Sequence, residues 1–148
     1  MKENISFVAH LPSFKGDETL LLLVDHETIA WLSSRFAELA RTPIESKNAS
    51  FVIGDGKPIQ SDGQCTVFVE LNHEASGSEL VAESPTTFRW ILSAGSASHY
   101  VDLLSEMVKA TVPCHQYLDP DNCPPAPVVM VSLEEYEADD FRHRKVQS

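Results

Sequence analysis

The densest run of reactive side-chain types in this sequence is Cys114-His115-Gln116-Tyr117-Leu118-Asp119. A thiol, an imidazole, a phenol and a carboxylate can supply a nucleophile, a proton shuttle and the groups that orient them. In an extended segment side chains alternate between faces, so His115, Tyr117 and Asp119 share one side and Cys114 takes the other. The row has two readings: a polar site, or a cross-strand row that pins a sheet. The second asks nothing of the rest of the chain and is the default. Cys114 also follows a helix-forming stretch, and the negative end of a helix dipole disfavours a thiolate. A pairing of Cys114 with a distant histidine therefore has no local support.

Other chemistries fail on spacing. His10, His26, His73, His99, His115 and His143 are scattered singly, and no HxH, HExxH or CxxC occurs. Structural zinc needs such clusters. Read as a calcium loop from Asp119, the sequence puts Pro124 at the sixth position and Met130 at the twelfth, where an EF-hand needs Gly and Glu. Gly54-Asp55-Gly56 lacks the further Gly and the Lys-Ser/Thr of a phosphate loop. There is no Gly-x-Ser-x-Gly elbow for a serine hydrolase. No metal and no cofactor is implied.

The charge balance points to a binder. The 148 residues carry 22 Asp+Glu against 11 Lys+Arg, a net −11. Residues 1–140 hold all 22 acids, and Arg142, Arg144 and Lys145 return +3 at the end. Nucleic acid and anionic membrane surfaces both need clustered Lys and Arg, so both are disfavoured as partners. An acidic surface instead attracts a basic protein and speeds its docking. The N-terminus has no signal-peptide pattern. The apolar run Leu20–Val24 is far short of the about 20 residues that span a bilayer. The chain is read as cytoplasmic and bacterial, with Cys65, Cys114 and Cys123 reduced.

Two strand-to-helix units must position whatever site exists. Leu20–Val24 is apolar at every position, as a centrally paired strand is. Asp25 then sits where an N-cap belongs, and Ile29, Leu32, Phe36 and Leu39 recur at helical spacing. Phe88–Leu92 followed by Ser96–Ala110 repeats the plan, with Ser96 as cap. Around these units, Ile5–Leu11 reads as an edge strand and Pro12–Glu18 as a turn region. Phe51–Ile53 is a short strand, and Asp62-Gly63 reads as a tight hairpin. Cys65–Asn72 is the clearest alternating strand. Leu80–Ala82 and Phe88–Leu92 form a returning strand broken at Pro85, and Val128–Leu133 is a last, interior strand. The sum is an α+β two-layer sandwich, mostly antiparallel sheet with two amphipathic helices: a single domain over 1–136 and a charged tail over 137–148.

The stretch Ser98–Ala110, Cys114–Asp119 and Val129–Tyr136 resembles small bacterial proteins, some of them grouped with immunity proteins of polymorphic toxin systems. The resemblance covers about a quarter of the chain. It implies a stoichiometric binder that blocks a toxin, and it assigns no residues. The leading expectation is thus a non-enzymatic acidic module for a basic protein partner, immunity-like in the form the resemblance implies. The candidate binding residues are Trp31, His115, Tyr117, Asp119, Glu134 and Glu135. The alternative is a small enzyme or ligand-binding domain with a pocket near Cys114, His115 and Tyr117. A homodimer built on the Ile5–Leu11 edge is a third possibility.

Overall fold

A computed structural model describes residues 6–45, 49–56, 58–61 and 65–133. In chain order these form β1 (Ser6–Phe14), β2 (Asp17–Val24), α1 (His26–Arg41), β3 (Ser50–Ile53), β4 (Ile59–Ser61) and β5 (Thr66–Leu71). Then follow β6 (Ser78–Ser84), β7 (Thr87–Leu92), α2 (Ala94–Val108), β8 (Cys114–Tyr117) and β9 (Val128–Leu133). The α+β class is as the sequence reads. The strands divide into two mixed sheets, ordered β4-β1-β2-β9-β8 and β3-β5-β7-β6. Four strand pairs are antiparallel; β1–β4, β2–β9 and β5–β7 are parallel.

Local chemistry explains the two strand-to-helix junctions. Asp25 Oδ1 accepts the Thr28 N–H at 2.8 Å, the N-cap geometry its position implies. In the second unit the cap is Ser93, not Ser96. Ser93 Oγ accepts the Ser96 N–H at 3.0 Å, so α2 starts at Ala94 and Ser96 lies in its first turn. His26, in the first turn of α1, hydrogen-bonds through Nε2 to the Ala110 carbonyl just beyond α2. The start of α1 is thereby tied to the far end of α2.

Long-range pairing overrides four local readings. The Ile5–Leu11 stretch is an edge only in part: β1 pairs with β2 on one side, and its first residues, Ser6–Val8, pair with β4 on the other. A rim for a homodimer there is confined to the part of β1 beyond Val8, which has no second strand beside it among the described residues. The Pro12–Glu18 turn contracts to Lys15 and Gly16, both at positive φ, while Pro12 sits where the β1–β2 register shifts, a place that tolerates a missing N–H. Residues 62–64 lie outside the described residues, but the strands around Asp62-Gly63 belong to different sheets, so they form no hairpin. The supposed single returning strand is itself a hairpin, β6–β7, and β7 runs parallel to β5.

The two sheets differ in how they are covered. Val8, Leu20, Leu22 and Val131 from the five-stranded sheet join Val67, Val69, Trp90 and Leu92 from the other in one core with both helices. Phe36 is its aromatic centre, edge-on to Phe51, Trp90 and Tyr100 at 5.4–5.7 Å between ring centroids. The opposite face of the five-stranded sheet carries a second buried cluster that includes Phe7, Ala9, Leu21, Leu23 and Met130. This is why Leu20–Val24 is apolar throughout: β2 is buried on both faces. The four-stranded sheet has only one covered face.

Candidate functional site

The open face of the four-stranded sheet follows from strand alternation. With Val67, Val69, Phe88 and Trp90 inward, the outward positions are Ser50 and Val52 on β3, Phe68 and Glu70 on β5, Arg89 and Ile91 on β7, and Glu79, Val81 and Glu83 on β6. Phe68 is 40% exposed and Val81 39% exposed. Between them Arg89 donates to both Glu70 oxygens, Nη2 to Oε2 at 2.7 Å and Nε to Oε1 at 3.3 Å. Its Nε also lies 3.1 Å from Glu83 Oε1. The hydrogen bond and charge of Glu70 hold the guanidinium above its ordinary pKa. The cation is thus already committed, and the face is left acidic and apolar.

Where β5 and β7 end and β6 begins, three adjoining cavities wrap around the sheet. One of about 330 Å³ runs between Ile44, Leu71, Arg89 and Ile91. It shares Asn72, Glu74 and Ile91 with a second of about 610 Å³, which reaches Glu79 and Asp121. The second shares Ser76 and Asp121 with a third of about 480 Å³, walled by His99, Leu103, Tyr117 and Asp119.

The loop after β8 builds the saddle between the last two cavities. Asp121 N–H donates to the Ser78 carbonyl at 2.7 Å, and the Ser78 N–H donates to Asp121 Oδ2 at 2.8 Å. Asn122 pairs with the backbone of Leu80 in the same manner. The loop therefore extends the β6 edge as an added strand would. Gly77 permits the approach, since a Cβ there would overlap Asp121 Oδ2. Beneath it lies a buried polar relay. Trp90 Nε1 donates to Ser78 Oγ at 2.7 Å, and the Tyr100 hydroxyl is hydrogen-bonded to Ser78 Oγ at 2.7 Å and to the Asp119 carbonyl at 3.0 Å. Burial pushes the Tyr100 phenol up to about 12. Desolvation also raises the partly covered Asp119 carboxyl, against the Val129 N–H that it accepts at 3.2 Å.

The sequence-derived candidates distribute unevenly over this landscape. Tyr117, 41% exposed, and Asp119 line the third cavity. His115 lies on the same face of β8 as Tyr117, its ring edge-on at 5.6 Å between centroids, but it is not among the cavity's walls. Cys114 faces the other way and packs on the core, so Cys114, His115 and Tyr117 do not converge. Trp31 is half-buried on α1, edge-on to Phe51 at 5.9 Å, a core-edge position that is not among the walls of the three cavities. Glu134 and Glu135 lie outside the described residues. The acidic face and the groove depend on Glu70, Glu74, Glu79, Glu83 and Asp121, none of which stood out. Only the alternation of Thr66–Leu71, with Phe68 and Glu70 on its non-core side, signalled part of the open face.

Among the described residues no group of three or more His, Cys, Asp or Glu converges as metal ligands do, and no helix is long and apolar enough to cross a membrane. Comparison with protein-family models, with curated proteins and with solved structures finds no match to this chain.

Proposed function

We propose that this protein is a non-enzymatic acidic module that binds a basic protein partner through the open face of its four-stranded sheet. The observation that carries the reading is the composition of that face. Exposed Phe68 and Val81 supply apolar area. Glu70, Glu79 and Glu83 surround them, and Arg89, the one cation there among the described residues, is neutralised in place. An aromatic and an aliphatic anchor ringed by charge suit an interface that is steered electrostatically and held by desolvation. The net charge of −11 adds long-range attraction for a cationic partner. An immunity-like inhibitor, neutralising a basic toxin by occupying its surface, is the form of this reading that the sequence resemblance implies.

The test starts from capture of partners in the source cells, identified by mass spectrometry and then purified. Association kinetics of each are measured at 50 and 500 mM salt against wild type and a Phe68→Lys/Val81→Lys variant. The reading expects association to slow at least tenfold with salt and the variant to lose at least tenfold in affinity. A partner whose binding ignores both salt and the double substitution removes it.

A further inference from the structure

Resting on that reading, we propose that the groove joining the three cavities is a track for an extended Lys/Arg-bearing segment of the basic partner. Three features carry this. The first is continuity: the cavities share lining residues at Glu74 and Ile91, then at Ser76 and Asp121, so one occupant can run through all of them. The second is the order of chemistry along the path. Carboxylates recur at Glu70, Glu74, Glu79, Asp121 and Asp119, each in a cavity that also offers an apolar or aromatic wall from Ile91, Leu103 or Tyr117. Lys and Arg lay their carbon stems on apolar surface and keep the charge at the tip, so they match such alternation. A chain in the β conformation sends successive side chains to opposite sides, which lets alternate residues reach the carboxylates.

The third feature is vacancy of charge. Asp121 spends Oδ2 on the Ser78 N–H and Asp119 spends Oδ1 on the Val129 N–H. The second oxygen of each has no hydrogen bond among the described residues. Arg89 is the one Lys or Arg among the described residues that line the groove, and Glu70 and Glu83 already hold it. Among the described residues Glu74, Glu79, Asp119 and Asp121 have no Lys or Arg of their own along the path, and a basic segment supplies it.

The test uses fluorescein-labelled octalysine on the whole protein. Glu74→Gln/Glu79→Gln removes two charges from the groove at exposed side chains. Glu27→Gln/Asp55→Asn removes two at the start of α1 and beyond the far end of β3. The proposal expects the groove pair to weaken octalysine at least tenfold and the control pair less than twofold. In ¹⁵N spectra, Glu74, Ser76, Ile91, His99 and Leu103 should shift along one shared titration curve. Equal losses from both pairs mean binding by net charge alone and overturn the track while leaving the proposed function standing. Shifts confined to one cavity overturn it too. So does spermine matching octalysine in affinity, since that assigns the groove to a small polyamine. So does octalysine binding that appears only once residues 141–148 are deleted, since that assigns the groove to the chain's own basic run.

Discussion

The side-chain amide of Asn122 pairs with the backbone of Leu80 as a neighbouring strand would. The Leu80 N–H donates to Asn122 Oδ1 at 3.1 Å, and Asn122 Nδ2 donates to the Leu80 carbonyl at 2.9 Å. This pair closes part of the β6 edge and fixes the loop that carries Asp119 and Asp121. Asn122→Ala breaks both bonds and leaves two partly buried backbone groups to water. At about 1 kcal/mol for each net bond, the loss is about 2 kcal/mol, read as a lower urea midpoint at unchanged slope.

Two glycines are required for different reasons, and their replacements should rank accordingly. Gly54 has φ +95°, and a Cβ there would meet the Cys65 carbonyl and lie 2.8 Å from Val8 Cγ1. Gly77 carries no such backbone demand; its Cβ would meet only the Asp121 side chain. Gly54→Ala therefore combines a strained conformation with a clash against main chain, of order 1–3 kcal/mol from strain alone. Gly77→Ala costs less overall but displaces Asp121 from the Ser78 N–H. Denaturation of both variants gives the order, and spectral shifts at Ser78 separate the mechanisms.

Phe36 should be the most sensitive core position. It is fully buried and meets Phe51, Trp90 and Tyr100, so it joins α1 to β3, β7 and α2. Phe36→Ala is expected to cost about 3–5 kcal/mol, measured by equilibrium unfolding. Phe36→Leu should recover a large part of that loss.

Stability should fall on the alkaline side through Tyr100. Its phenol ionises near 10 when unfolded, and burial holds it at about 12 in the fold. Its contribution is intact below pH 10 and is lost as pH rises toward about 12, because the unfolded chain gives up the proton first. Tyr100→Phe is less stable near pH 7, having lost the bonds to Ser78 and Asp119, and its stability declines less steeply between pH 9 and 11. Parallel pH profiles for the two proteins would contradict the assignment.

How much of this was legible depended on the range of the interaction involved. Asp25 announced its cap because capping is decided within three residues. His115 and Tyr117 fell on one face because strand alternation is local. Ser93 was passed over for Ser96 because both hydroxyls sit at the helix start and only backbone geometry distinguishes them. Ile5–Leu11 looked like an edge throughout because the second partner of Ser6–Val8, Ile59–Ser61, lies far along the chain and pairs in parallel. Asp62-Gly63 carried a strong local turn signal, but the strands around it are claimed by different sheets. The groove was invisible for the same reason. Glu74, Glu79, His99 and Asp121 have no shared spacing, and only the Asn122 and Asp121 contacts with β6 bring them together.

Arg89 gives the proposed interface a test with a counterintuitive sign. If the open face attracts a basic partner, Arg89→Gln removes the one cation on it among the described residues and frees Glu70 and Glu83. Association at 50 mM salt should then quicken by about two- to fivefold, and the gain should vanish at 500 mM. Slower association would mean that the guanidinium itself contacts the partner.

The most direct test of the central claim is amide hydrogen exchange of the protein with and without its purified basic partner. Binding on the open sheet face and groove predicts added protection at Phe68–Glu70, Asn72–Glu79, Arg89–Ile91, His99–Leu103 and Tyr117–Asp121, with α1 and the Cys114–Gln116 part of β8 unchanged. Protection centred instead on α1 around Trp31, or on β8 at His115, would contradict it.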